Sequence, residues 1–270
     1  MSNIAIFSVS ENGARLARLL AARLNTNKLN AHAYILAKYC SSGDNSFESL
    51  SDITARLFGK SKALIFIMAH GIAARAVAPH LKSKYSDPAV VVLDDAARFV
   101  ISSVSGHEGG ANELAFIVSN ITGATPVITT ATEADKLYVA GVGARKGVST
   151  DAVIQAITSA CADAGIKTSD LRLIASAWVK QDEHGIIETA KQLNIQLRFL
   201  PKFLYDACAT GFQPTAAAKH FDISAVAEPS AAIAAHNALN TPLVLPLHKY
   251  ESVTVAIAKD IVGIEYAKEL

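Results

Sequence analysis

The chain has 270 residues, of which 51% are hydrophobic and 18% charged. That is more than one domain usually needs and far too apolar for a disordered segment. Its 25 basic and 24 acidic side chains nearly cancel. No global field therefore favours nucleic acid or an acidic membrane, and an anionic partner must be held by a local cluster.

Short β-rich runs alternate with alanine-rich helical stretches, which predicts an α/β fold of two domains with largely parallel sheets. Ile4 to Val9 reads as a strand, followed by a helix from about Gly13 to Leu24 with Leu16, Leu19, Leu20 and Leu24 on one face. Ala63 to Met68 and Val90 to Leu93 are short, continuously apolar strands, and Phe99 to Ile101 is expected to pair beside them. A helix from Gly110 to about Ile121 leads into a strand at Pro126 to Ile128. The polar string Thr132 to Lys136 then separates two α/β patterns, so the expected domains are residues 1–134 and 135–270. In the second, strands at Leu137 to Val142, Arg172 to Ser176, Gln196 to Leu200 and Val253 to Ala258 accompany helices at Thr150 to Ala164 and Ala231 to Leu239.

A strand almost at the N-terminus argues against a leader. The longest apolar run, Ala63 to Ala69, is much shorter than the roughly 20 residues needed to span a bilayer. A cytoplasmic protein is expected. Cys40, Cys161 and Cys208 are odd in number and widely spaced, which indicates neither a disulfide frame nor a zinc site.

In an open parallel sheet, the loops just beyond the carboxyl ends of strands line the ligand crevice. Four polar clusters are expected there: His70 to Arg75, Asp94-Asp95, Ser105 to Glu113, and Thr129 to Thr132. The segment SGHEGGANE carries the most chemistry. Its glycines permit close backbone approach, and a helix starting near Gly110 offers N–H groups and a positive dipole end to a carboxylate or oxyanion. His107 can exchange a proton near neutral pH, with Glu108 or Glu113 as orienting group or base; the alternative is a tight turn in which His107 merely caps a helix.

A second glycine loop is expected at Gly141-Val142-Gly143-Ala144-Arg145-Lys146-Gly147. It fails the Walker pattern because Lys146 precedes Gly147, and the dinucleotide fingerprint because Lys146 stands where a third glycine belongs. What remains is a post-strand loop whose two cations suit carboxylates. Lys180 follows a later strand, and Glu228 stands just before Pro229 at a helix start, where a carboxylate is favourable as a cap in any case.

The stretches from Gly71 to Asp95, Phe99 to Ala115 and Pro126 to Glu133 resemble the amino-terminal domain of the cobalt-precorrin-5A hydrolases (CbiG). Gly141 to Ser149, Ala175 to Leu193 and Val226 to Ala232 resemble their carboxy-terminal domain. Ala74, Ala144 and Glu108 depart from the family's usual valine, cysteine and apolar residue, and the middle domain of many members has no counterpart. The resemblance implies anaerobic cobalamin biosynthesis: hydrolysis of a δ-lactone on a cobalt-bearing tetrapyrrole, with a two-carbon bridge leaving as acetaldehyde. It implies an anionic tetrapyrrole as partner and no cofactor, since the substrate carries the cobalt, so no protein metal site is expected. A homodimer or transient contact with other enzymes of that pathway would be consistent with it. His107, Glu113 and Glu108 are then the candidate catalytic groups. His70, Arg75, Gly109, Gly110, Asn112, Thr129, Thr130, Arg145, Lys146, Lys180 and Glu228 are the candidate substrate contacts. The alternative implied is a non-catalytic carrier of cobalt-corrinoid precursors, as in stand-alone relatives of the carboxy-terminal domain.

Overall fold

A computed structural model describes residues 3–208, 212, 223–235 and 243–260. The chain forms two compact units, residues 1–130 and 131–270.

In the first unit, β1 (Asn3–Ser8), β2 (Asn30–Leu36), β3 (Asn45–Phe47), β4 (Ala63–Ile67), β5 (Ala89–Leu93), β6 (Phe99–Val104) and β7 (Thr125–Val127) make one sheet in the order β3-β2-β1-β4-β5-β6-β7. Successive side chains alternate between its faces. Ile4, Ile6, Ile65, Ile67, Val91 and Leu93 pack against α1 (Glu11–Thr26) and α4 (Ala111–Thr122). Ala5, Phe7, Leu64, Phe66, Val90 and Val92 pack against α2 (Leu50–Phe58) and α3 (His70–Val77). Being covered on both sides explains why β4 and β5 read as unbroken apolar runs.

The strands from β3 to β5 are parallel, but β6 pairs antiparallel with β5, and β7 follows β6. This corrects the expected geometry of the polar clusters. The segments leaving β4 and β5, with His70 to Arg75 and Asp94-Asp95, emerge at one edge of the sheet. Those leaving β6 and β7, with Ser105 to Glu113 and Thr129-Thr130, emerge at the opposite edge. Two contacts fit this division, while His70 reaches across it to Ser103 of β6. Ser10, leaving β1, donates to Asp95 at 2.7 Å, whereas Lys84, in the loop entering β5, pairs with Glu108 after β6.

The second unit opens with the short helix α5 (Ala131–Ala134). Its sheet has the order β10-β9-β8-β12-β11, built from β8 (Tyr138–Ala144), β9 (Leu171–Ala177), β10 (Gln196–Leu200), β11 (Leu245–Tyr250) and β12 (Val253–Lys259). The first three are parallel, and β12 joins β8 antiparallel, so this sheet is mixed. Helices α6 (Thr150–Asp163) and α7 (His184–Leu193) cover one face through Val153, Ile157, Ile186 and Ala190. Between β10 and β11 lie α8 (Lys202–Ala207) and α9 (Ala227–Ala234). The expected helix over Ala231 to Leu239 overlaps α9, and its residues 236–239 lie outside the described residues.

The expected glycine loop at 141–147 is mostly strand. Gly141 and Gly143 belong to β8, and Gly141 is small because α9 lies on it: a Cβ there would sit 1.9 Å from the Ala227 carbonyl oxygen and 2.5 Å from the Ala231 nitrogen. Only Arg145 to Gly147 form the turn, with Gly147 at φ 77°.

Candidate functional site

The turn from Ser105 to Gly110 links β6 to α4, and hydrogen bonds within it fix its shape. The Ser105 carbonyl accepts from the N–H groups of Gly109 (3.1 Å) and Ala111 (3.2 Å), and Gly106 O accepts from Asn112 N–H (2.9 Å). Each glycine has a steric reason. A Cβ on Gly106 would meet Thr130 Cγ2 at 2.8 Å, one on Gly109 would meet Ser105 Cβ at 2.4 Å, and Gly110 holds φ 85°. The glycine cluster is thus required by the connection itself and is not by itself a sign of ligand binding. Among the described residues, the Gly110 N–H has no hydrogen-bond partner, whereas that of Gly109 is engaged.

His107 is exposed at the crest of this turn and has no hydrogen-bond partner among the described residues. Glu108 ion-pairs with Lys84 at 2.5 Å. That hydrogen bond holds the Glu108 carboxyl below the usual glutamate range, so it stays a carboxylate committed to a lysine. Glu113 lies exposed in the first turn of α4, where the helix dipole favours an acidic side chain.

Asn112 is buried. Its Oδ1 accepts from Ser102 Oγ at 2.7 Å and its Nδ2 donates to Thr130 Oγ1 at 3.0 Å, joining α4 to β6 and to the segment after β7. Asn112 and Thr130 thus serve the fold, while Thr129 beside them is exposed. Replacing Asn112 by alanine leaves two hydroxyls short of their partner. A loss of about 1–3 kcal/mol in unfolding free energy is expected from denaturant titration; an unchanged midpoint would show that the bridge contributes nothing.

Ser105 was not singled out in the sequence. It is buried, adopts φ 57°, and its Oγ has no hydrogen-bond partner. Left-handed backbone at a residue other than glycine is strained. The only sequence signal was a serine directly before a glycine at the end of a strand.

After β4, His70 begins α3, and its Nε2 lies 3.1 Å from Ser103 Oγ near the end of β6. Arg75 is exposed and folds back on its own helix, donating to Gly71 O at 3.1 Å. Asp94 closes the β5–β6 turn by accepting from the N–H groups of Arg98 (2.6 Å) and Phe99 (2.9 Å). Although α3 follows β4, the His70 side chain thus reaches β6 two residues before the Ser105–Gly110 turn, whereas Arg75 is engaged on its own helix.

In the second unit, Arg145 and Lys146 are exposed on the turn after β8. Buried Glu183, at the start of α7, steadies that turn by accepting from Gly147 N–H at 2.8 Å. Lys180 is half-buried just before it. Since β8 and β9 are parallel, these three cations share the carboxyl edge of their sheet. Glu228 Oε1 accepts from Leu247 N–H at 3.1 Å, which ties the first turn of α9 to β11.

All three cysteines are free; Cys161 and Cys208 are buried, and burial pushes the Cys161 thiol up to about 11. Among the described residues, no group of three or more His, Cys, Asp or Glu could hold a metal ion. No helix among them is long and apolar enough to cross a membrane.

Residues 52–133 match the Cobalamin synthesis G N-terminal family, and residues 138–258 match the Cobalamin synthesis G C-terminus family. Over 141 residues, half of this chain and 37% of the relative, the sequence is 43% identical to the cobalt-precorrin-5A hydrolase of Salmonella typhimurium. It is 37% identical to that of Priestia megaterium over 139 residues, 49% of the chain and 36% of the relative. The match thus spans little more than a third of either curated relative. A crystal structure of a cobalamin biosynthesis protein G homolog from Sulfolobus solfataricus aligns over 96% of this chain and 97% of its own, at 19% identity and a TM-score of 0.39. With its two halves matching the two family domains in order, the chain belongs to the cobalamin synthesis G family.

Proposed function

We propose that this protein opens the δ-lactone of cobalt-precorrin-5A, the compound for which its curated relatives are named. The reading is carried by one juxtaposition: an exposed His107, without a partner among the described residues, stands three residues before a Gly110 N–H that none of them engages, at the start of α4. His107 removes a proton from water, and the resulting hydroxide adds to the lactone carbonyl. The ring C–O bond then breaks to give a carboxylate and a hydroxyl on the two-carbon bridge. That hydroxyl loses its proton and becomes the aldehyde carbonyl as the C–C bond to the macrocycle breaks. The electron pair stays on the macrocycle carbon, which takes up a proton as acetaldehyde departs.

The developing oxyanion falls to the Gly110 N–H and the positive end of α4. Loss of one such donor typically costs about 2.7–4 kcal/mol of transition-state stabilisation. Taken by itself, the second unit presents Arg145, Lys146 and Lys180, charge-assisted donors of the kind that carboxylate groups take. The cobalt belongs to the substrate. Glu108 is committed to Lys84, whereas Glu113 has no partner among the described residues, so Glu113 is taken as the candidate for orienting the ring.

Incubating the protein with cobalt-precorrin-5A and trapping the aldehyde tests the proposal directly. Acetaldehyde should appear in step with loss of the lactone. Glu108→Gln should retain most of the turnover, because its carboxylate serves Lys84 rather than water. Tight binding of the macrocycle without aldehyde would instead identify a carrier.

A further inference from the structure

The loop that enters β5 presents a feature the proposed chemistry does not use. Its backbone is gathered around Asp87, which is buried. The Asp87 carboxylate accepts from the N–H groups of Lys82 (2.8 Å) and Ser83 (3.0 Å), while the N–H groups of Ser86 and Asp87 donate to Ser83 O at 3.0 and 2.9 Å. On this anchored loop Tyr85 is 77% exposed and Leu81 44% exposed.

The ring is also placed. Lys84 Nζ lies 5.0 Å from the Tyr85 centroid and at the same time pairs with Glu108 at 2.5 Å. One lysine thereby ties the aromatic face to the turn that carries His107 and Gly110. Lys82, on the same loop, is an exposed cation whose side chain has no partner among the described residues. A flat apolar face beside a free cation and an anion-favouring helix start complements a flat conjugated ring with carboxylates on its rim. A loop already held in place also loses little freedom on binding.

We propose that Tyr85 is the stacking platform for the tetrapyrrole face, a binding residue for the lactone-opening reaction proposed above, on which this inference rests. The ring face, not the hydroxyl, makes the contact.

Titration of the full chain with cobalt-precorrin-5A, followed by the macrocycle's visible absorbance, separates the two ideas. Tyr85→Ala should raise Kd and KM about tenfold, with kcat at saturation within about twofold of the parent. Tyr85→Phe should match the parent in every constant. Because Tyr85 projects into solvent, both variants should keep the parent's unfolding midpoint.

If the parent turns over the substrate and Tyr85→Ala does so with unchanged Kd and KM, the platform is overturned and the hydrolase reading stands. Equal losses in Tyr85→Phe and Tyr85→Ala would also overturn it, since the hydroxyl would then be the contact. Tyr85-dependent binding without aldehyde would leave the platform and remove the hydrolase. A parent that neither binds nor converts the macrocycle removes both.

Discussion

Gly141→Ala is expected to lower the stability of the second unit by about 3 kcal/mol or more. A methyl group there would sit 1.9 Å from the Ala227 carbonyl oxygen and 2.5 Å from the Ala231 nitrogen, both backbone atoms of α9. No side-chain rotation relieves that contact. Either α9 lifts off β8, uncovering the apolar surface it buries, or the strand shifts out of its pairing with β9 and β12. Overpacking a tight core commonly costs about 1–3 kcal/mol, and a collision with helix backbone belongs at the upper end or beyond. Trp178 is the chain's one tryptophan and packs edge-on against Tyr205 in the same unit, so its fluorescence follows unfolding of that unit. Gly147→Ala is the control. Nothing lies within 4 Å of the added methyl, and only the φ of 77° is unfavourable, so a loss of about 1–2 kcal/mol is expected. Equal midpoints for Gly141→Ala and the parent would mean that α9 does not rest on β8 in solution.

The second large effect concerns His107. Under the proposed lactone opening, His107→Ala should reduce kcat by about 10²–10⁴-fold, the usual contribution of a positioned general base. The affinity for the macrocycle should change little, because the imidazole acts on water rather than gripping the ring. His107→Gln, which can still hydrogen-bond but cannot take the proton, should be as slow as His107→Ala. Acetaldehyde release under single-turnover conditions is the measurement to use, since it excludes slow product departure. Undiminished release from either variant would take His107 out of the chemistry and direct attention to Glu113 and Ser105. His107 is exposed and joined to no other described side chain, so the unfolding midpoint should not move.

Much of the architecture could be read from local pattern. β4 and β5 were recognisable because strands covered on both faces must be apolar at every position, and a run that short is a strand rather than a helix. α6 begins at Thr150 and β10 spans Gln196–Leu200, as read. β2 escaped notice because NAHAYIL mixes exposed and buried positions, and β3 because three residues make no period. α3 was taken for a ligand loop, since His-Gly looks like a turn until the helix packs Ala73 and Val77 beneath β4 and β5. The segment GVGA was read as loop for a similar reason. Glycine usually breaks strands, and only the close approach of α9, more than eighty residues away in sequence, makes it the residue β8 requires.

The site was legible to a similar depth. Residue types alone singled out the histidine-bearing turn after β6, because glycines and a helix start announce themselves within a dozen residues. Hidden in the sequence were the pairing of Glu108 with Lys84, the bridge from Asn112 to Ser102 and Thr130, the bond from Glu183 to Gly147, and the strained Ser105. Above all, strand direction was hidden: the side-chain alternation of FVISSV is the same whichever way the strand runs. Composition and periodicity set the fold class, the two-part organisation and the candidate turn, since these depend on neighbours along the chain. The reversal of β6 and the contact of His70 with Ser103 were settled only by packing, because hydrogen bonding between elements is a relation between distant residues.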